Sequence, residues 1–346
     1  MCSALQGVAT ERFRLDLLSI ELFMNIGFIK FQPYLKSVLW GGEKIAAYKG
    51  ITTDQKQIGE SWEISGVIGR ESVVAEGVDA GLSIVELIRK YKGALVGEPI
   101  YAKYGDMFPI LVKFIDAKQD LSLQVHPNDV IAKNRHNSLG KTEMWYIIDT
   151  DENAKINVGF TTEITPKEYE QRVANNTIMD VVTCHNSQPG DLFYLPAGRI
   201  HSIGAGNLLA EIQRTCDITY RVYDFDRRDA QGNTRELHTK WAKNAIDYAV
   251  EESYVTSCPT GTIGETKLVK CEYFDTSRII IDGEYEIVSP EADSFRIIMC
   301  LKGSAEITDN NGNTTSVHQG ETVLVPAITT KLTLKGAAEL LTTTAM

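Results

Sequence analysis

Long apolar runs are missing from this chain: none approaches the roughly 20 residues that a membrane-spanning helix needs. With 43% hydrophobic and 23% charged residues it is expected to be neither membrane-embedded nor disordered. The six cysteines, at 2, 184, 216, 258, 271 and 300, are far apart and make no CxxC pair. That leaves no basis for a disulfide framework or a thiolate zinc cluster and suits a reducing cytoplasm. Positive charge is in deficit, with 35 Lys and Arg against 46 Asp and Glu and a formal net charge of -11. A general nucleic-acid surface needs a basic face to release counterions, so no nucleic-acid partner is expected, and an anionic ligand has to meet locally placed Lys and Arg. The opening segment lacks the unbroken apolar stretch of a secretory signal, because Glu11, Arg12, Arg14, Asp16 and Glu21 interrupt it. Residues 1–25 therefore read as an N-terminal extension, helical around Arg14 to Phe23, on a protein that is not exported.

What is present is a β pattern. At 346 residues the chain is long enough for two domains or for one large domain with insertions. From Ile29 onward most apolar segments are short, rich in Val, Ile, Phe and Tyr, and separated by Gly, Pro, Asn or Asp, the punctuation of a barrel or sandwich. Helices are the minority: 83–92, with Ile84, Leu87, Ile88 and Tyr91 at helical spacing; 165–181, opened by Thr165, Pro166 and Glu168; and 238–249. Sliding the chain along itself lays Gln188-Pro-Gly-Asp-Leu-Phe-Tyr-Leu-Pro-Ala197 over His318-Gln-Gly-Glu-Thr-Val-Leu-Val-Pro-Ala327. Each copy is a Gly-acid turn leading into a short apolar strand that ends in Pro-Ala. The strands leading in also look alike, Glu143-Met-Trp-Tyr-Ile-Ile148 against Ser294-Phe-Arg-Ile-Ile-Met299. Chance likeness between two hairpins is the competing explanation. If the repeat is real, residues 26–255 form one unit with the helical segments and residues 256–346 a second.

In Asp120-Leu-Ser-Leu-Gln-Val-His-Pro127, strand alternation sends Leu121, Leu123 and Val125 to one face and Ser122, Gln124 and His126 to the other. Burying such a polar row costs free energy unless it is hydrogen-bonded or bound to something, and Gln124 and His126 suit two ligands of one metal. A lone histidine is more often a satisfied core or surface residue than a ligand, so context decides. Gly190-x5-Pro196-x-Gly198-x2-His201 supplies it: a strand ends at Pro196, glycine allows a tight turn, and His201 opens the next strand. Glu143, at the head of an apolar strand, is either a surface acid or, pointing inward, the charge that completes the set. Two imidazoles, a carboxylate and an amide oxygen suit zinc with one position open to water or substrate. Trp40, beside two glycines, is either core packing or a wall for a sugar ring. Glu211 alternates with Gln213 along Leu208 to Gln213, which lets it point into a barrel.

Six segments carry a resemblance: Leu39-Trp-Gly-Gly42, Gly59-Glu-Ser-Trp-Glu-Ile-Ser65, Leu123-Gln-Val-His-Pro-Asn-Asp129, Gly140-Lys-Thr-Glu143, Pro196-Ala-Gly-Arg-Ile-His201 and Thr219-Tyr-Arg-Val-Tyr-Asp224. From about Phe31 to the C-terminus the chain resembles the cupin superfamily and, more closely, the type I mannose-6-phosphate isomerases of bacteria. The resemblance implies a mainly β fold of two cupin (jelly-roll-like) β-barrels with a small helical insertion. It implies one zinc ion per chain, held by Gln124, His126, Glu143 and His201. It further implies Arg221 as the catalytic arginine, Lys141 and Lys113 as pocket lysines, Ser122 as the pocket serine and Glu211 as the pocket acid. Thr142 departs from the family, where proline is common, and residues 1–23 have no counterpart. In the second repeat Ser294 takes the position of Glu143 and Lys331 that of His201, so the C-terminal barrel should lack metal ligands and a single metal is predicted.

The activity so implied interconverts D-mannose 6-phosphate and D-fructose 6-phosphate, feeding mannose or GDP-mannose metabolism. It moves a proton between C1 and C2 through an enediol, so the site must acidify a carbon beside a carbonyl. A zinc ion answers that need as a Lewis acid for the developing enediolate. Glu211 is either the proton carrier or an acid that pairs with Arg221 and orients it. Which of Arg221, Lys141 and Lys113 meets the phosphate stays open. The partner is then a small sugar phosphate, and the chain a monomer or homodimer. Two other readings use the same residues. A cupin oxygenase would hold Fe(II) on the two histidines and the carboxylate, against which the nearby basic residues speak. A non-catalytic sugar-phosphate sensor would keep the pocket without turnover, against which the intact ligand set speaks.

Overall fold

The computed structural model describes residues 26–229, 231–256, 258 and 261–346. The expected N-terminal extension and its helix lie outside the described residues. Strands β1 (Tyr34–Gly42), β2 (Ile58–Ile64), β3 (Ile110–Asp116), β4 (Leu123–Val125), β5 (Glu143–Thr150), β6 (Lys155–Phe160), β7 (Val182–Asn186), β8 (Leu192–Leu195), β9 (His201–Ile203), β10 (Asn207–Arg214) and β11 (Tyr220–Tyr223) build the first barrel. They form a six-stranded sheet ordered β1-β2-β3-β10-β5-β8 and a five-stranded sheet ordered β11-β4-β9-β6-β7. The two sheets meet in a core where Ile115, Trp145, Phe193 and Leu209 pack with Ile156, Val158 and Ile203. A third sheet takes β12 (Gly264–Lys270), β13 (Phe274–Val288), β14 (Arg296–Asp309), β15 (Thr314–His318), β16 (Thr322–Val325) and β17 (Lys331–Ala345). The protein is mainly β with the cupin jelly-roll architecture that the strand pattern and the resemblance implied.

The internal repeat is visible in the pairing. β13 runs against β17 as one long ladder, where the first barrel splits the same ladder into β3 on β10 and β4 on β9. β5 pairs with β8 as β14 pairs with β16, and here the register corrects the sequence overlay. Glu143 stands opposite Leu195, and Arg296, not Ser294, stands opposite Val325. A slip of two residues keeps every side chain on its own face, so apolar patterning cannot detect it and only the hydrogen-bonded register can. Lys331 does hold the His201 position: it pairs with Val288 as His201 pairs with Gln124. The interior of the C-terminal barrel is filled by Ile279, Ile281, Ile298, Val323, Leu332, Leu334 and Leu340.

The described helices are α1 (Lys44–Lys49), α2 (Ile84–Tyr91), α3 (Gly93–Val96), α4 (Glu98–Tyr104), α5 (Asp129–His136), α6 (Pro166–Ala174), followed by a 3-10 turn at Ile178–Val181, and α7 (Thr239–Ala245). α2 opens on a capping box in which the Ser83 hydroxyl and the Glu86 carboxylate satisfy each other's backbone N–H, and its stripe Ile84, Leu87, Ile88 and Tyr91 is buried. α2, α3 and α4 wedge between the barrels, where Phe295 N–H donates to Val96 O (3.2 Å) and Ala327 N–H to Leu95 O (2.8 Å). α7 stops at Ala245, short of the run to Ala249 suggested by its sequence. Ile246 is extended, and Asp247 N–H donates to Gly198 O (2.8 Å), which ties the helix end to the turn before His201. The stretch from Ile26 also differs from expectation: Ile29 exchanges both backbone hydrogen bonds with Leu324, 2.9 Å each, and so adds to the C-terminal barrel.

Candidate active site

β4 and β9 bring Gln124 and His201 directly opposite one another. β5 begins with Glu143, held against Gln213 of β10 on one side and Leu195 of β8 on the other. This closure gathers donors from three segments: the Nε2 atoms of His126 and His201 lie 3.1 Å apart, and Glu143 Oε1 is 3.3 Å from His201 Nε2 and 3.6 Å from His126 Nε2. Gln124 Nε2 lies 3.4 Å from His201 Nε2. Among the described residues His126, Glu143 and His201 form the one group of three such donors able to hold a metal ion, and all three are buried. Among the described residues no second such group occurs in the C-terminal barrel, where Val288, Arg296 and Lys331 take the corresponding places.

The outer contacts fix which atoms face inward. His126 Nδ1–H donates to Ile218 O and His201 Nδ1–H to Arg199 O, both at 2.8 Å, so each ring presents an Nε2 lone pair to the other. Two facing lone pairs repel, and Glu143 Oε1 is fully buried with no hydrogen-bond partner. A divalent cation satisfies all three at once, and two neutral imidazoles and a carboxylate are donor types that hold zinc, the Gln124 amide being the unusual member. Lys141 reaches the same group: its Nζ lies 3.1 Å from His126 Nε2 and donates to Glu143 Oε2. Burial opposes ionisation of Glu143, but Lys141 and His126 outweigh it and hold the carboxyl well below its usual range. Burial pushes both imidazoles down, with Lys141 adding to the effect, and His201 falls to about 3.

Beside this centre opens a cavity of about 430 Å³ lined by Ser122, Gln124, Lys141, Glu211, Arg221, Lys113 and Trp40. Every residue singled out from the sequence as substrate-facing therefore shares one space. Trp40 is buried in the core and turns part of its surface to this cavity. Glu211 does not pair with Arg221. Its Oε1 accepts from Lys113 Nζ (2.8 Å) and its Oε2 from Trp145 Nε1 (2.9 Å), while the Trp145 ring meets His201 edge-on at 5.1 Å. Lys113 also lies 3.4 Å from Glu60, so its charge is already shared between two acids. Arg221 donates through Nη1 to Glu236 O (2.9 Å), whereas its buried Nε has no partner among the described residues.

Glu60, Trp145, Lys36 and Arg235 were missed from the sequence. Glu60 lay inside the quoted Gly59–Ser65 segment, yet nothing local says that it faces Lys113. Lys36 Nζ meets Glu60 Oε1 at 2.8 Å and Trp62 Nε1 donates to Glu60 Oε2 at 2.7 Å. Burial raises the Glu60 carboxyl, but Lys113 and Lys36 overcome this and bring it to about 2. Because the folded value lies below the unfolded one of 4.5, this contribution to stability is complete above pH 4.5 and is lost as pH falls toward 2. Its size is on the order of 3 kcal/mol. The Glu60→Gln variant should accordingly be less stable than the parent at pH 6, with the gap closing through that window when thermal midpoints are compared. A gap constant from pH 6 to pH 2 would contradict this.

A buried two-histidine, one-glutamate centre at the open end of a jelly-roll barrel, next to a cavity rich in acid and base, defines a cupin-type enzyme. The chain belongs to the type I phosphomannose isomerase family, whose members are aldose–ketose isomerases. Residues 28–169 match the type I phosphomannose isomerase catalytic domain and residues 264–345 the mannose-6-phosphate isomerase cupin domain. The chain is 34% identical over 312 residues to the putative mannose-6-phosphate isomerase YvyI of Bacillus subtilis (strain 168), covering 89% of this chain and 96% of that one. It is 33% identical over 317 residues to mannose-6-phosphate isomerase ManA of the same organism, with the same coverage. The crystal structure of the mannose 6-phosphate isomerase from Bacillus subtilis superposes with a TM-score of 0.79 at 31% identity, covering 92% of this chain and 99% of that one.

Proposed function

We propose that this chain interconverts D-mannose 6-phosphate and D-fructose 6-phosphate through an enediol, in the cytoplasm and in service of mannose or GDP-mannose metabolism, with one zinc ion held by Gln124, His126, Glu143 and His201. The observation that carries the reading is the unpartnered Glu143 Oε1 facing two imidazole lone pairs at the edge of the acid- and base-lined cavity. When bound, the ion supplies Lewis-acid polarisation beside the carbon that gives up its proton. Zinc suits the donor set, and isomerisation needs no change of metal oxidation state. Glu211, oriented by Lys113 and Trp145, takes the proton from one carbon and returns it to its neighbour. Arg221 offers its buried Nε–H to an anionic oxygen of the substrate, a task its planar fork suits better than a lysine would. Lys141 exchanges a proton with the oxygens at C1 and C2. Ser122 and Lys113 bound the cavity, and Trp40 forms a wall for the sugar ring. Residues 26–255 carry this chemistry and residues 256–346 contribute no ligand.

Family membership favours the isomerase over an Fe(II) oxygenase or a silent sugar-phosphate sensor. Chelator treatment of the purified protein should lower conversion of mannose 6-phosphate to fructose 6-phosphate by about a thousandfold or more, and reloading with zinc should restore it. Iron-dependent oxygen uptake, or sugar-phosphate binding without turnover in the zinc-loaded protein, would overturn the reading.

A further inference from the structure

We propose that Asp129 is a positioning residue for Lys141, and that Tyr273 of the C-terminal barrel completes its clamp, so that the barrel without metal ligands helps set the geometry of the reaction. The proposal rests on the role given to Lys141 above. Lys141 sits in the irregular connection between α5 and β5, yet its Nζ has to reach a buried space beside Glu143 and the two histidines. A lysine side chain has four rotatable bonds and large rotamer entropy, so its reach is reproducible only if the backbone beneath it is fixed.

Asp129 provides that fixation. It is the first residue of α5, but the cap of the helix is already made by Asn128, whose side chain accepts from Ile131 N–H at 3.0 Å. The Asp129 carboxylate turns instead to the far end of the connection. Its Oδ1 accepts Gly140 N–H at 2.8 Å together with Arg214 Nη1, and its Oδ2 accepts the Tyr273 hydroxyl at 3.0 Å. Arg214 Nη1 also donates to Gly140 O at 3.3 Å, so one ion pair holds both backbone polar groups of the residue immediately before Lys141. On the other side Lys141 N–H donates to Pro127 O at 3.1 Å, next to the ligand His126. Gly140 is closely fitted, since a Cβ there would lie 2.6 Å from Asp129 N. Tyr273 lies between β12 and β13, and its ring packs 3.9 Å from the Arg214 guanidinium. The Asp129 side chain is 44% exposed, and ion pairs that open to water add little to stability. Their value here is geometric.

The test uses the full-length, zinc-loaded enzyme and its Asp129→Asn, Tyr273→Phe, double and Lys141→Ala variants. For each, kcat and KM for mannose 6-phosphate, zinc content and thermal midpoint are measured. Asp129→Asn should lower kcat about tenfold and Tyr273→Phe about threefold, with KM within about twofold and zinc and midpoint unchanged. The double variant should be no slower than Asp129→Asn alone, because Tyr273 acts through Asp129. An unchanged kcat in both single variants would overturn the proposal. So would a kcat loss that follows loss of zinc or of thermal midpoint, which would make the clamp a support of the fold only. If Lys141→Ala turns over normally, the role of Lys141 itself is refuted; if it is inactive while Asp129→Asn is fully active, only the clamp fails.

Discussion

The His201→Ala variant should lose bound metal and at least about a thousandfold in kcat, while Lys331→Ala at the equivalent position of the C-terminal barrel keeps both. The asymmetry follows from surroundings. His201 is buried, its Nδ1 is anchored on Arg199 O, and its Nε2 is within 3.1–3.4 Å of His126, Glu143 and Gln124. Deleting the ring removes a donor that no neighbour can replace and leaves Glu143 buried beside a void. Lys331 is half exposed and pairs at 2.6 Å with Glu286, an equally exposed acid, and a surface pair of that kind contributes about 0–1 kcal/mol. Its neighbours at the corresponding ligand positions are Val288, which is 64% exposed, and Arg296, neither of which binds a divalent cation. Metal analysis and the coupled assay on both variants decide the matter. Equal losses would mean that the ion is not confined to the first barrel.

Glu211→Gln is expected to lower kcat by about 10²–10⁴, with zinc content and KM close to the parent. Glutamine keeps the shape and one oxygen to accept from Trp145 Nε1 or Lys113 Nζ, so the cavity wall should survive while the proton acceptor does not. Lys113 retains Glu60 as a partner, which limits the cost of removing the second acid. Exchange of the C2 proton with solvent deuterium gives an independent readout: it should stop in the variant along with turnover. A kcat within threefold of the parent would hand the proton transfer to another group and leave Glu211 as a support for Lys113.

Much of the metal centre was legible because strand alternation is local. The strand expected over Asp120–Pro127 is shorter, Leu123–Val125, yet extended alternation places Gln124 and His126 on one face, and a Gly198 turn opening onto His201 is likewise written in neighbouring residues. The apolar stripe of α2 was legible for the same reason. The C-terminal counterpart of Glu143 was not. Ser294 lies before β14 begins, and only pairing with β16 shows that Arg296 stands in register. The partner of Glu211 was also out of reach, since an acid 98 positions from Lys113 in the chain meets it only when β3 and β10 close together.

By itself the sequence determined the mainly β character of this protein and set Gln124 and His126 on one face as candidate donors, because those depend on period-two geometry within a few positions, while the full set of four came from the family resemblance. The tertiary structure decided which charges neutralise one another, namely Glu211 with Lys113 rather than Arg221, and Asp129 with Arg214, the neutral Tyr273 hydroxyl donating to the same carboxylate. Those pairings join segments as much as 144 positions apart. Sheet register and barrel closure set them, and neither leaves a mark in the residues on either side.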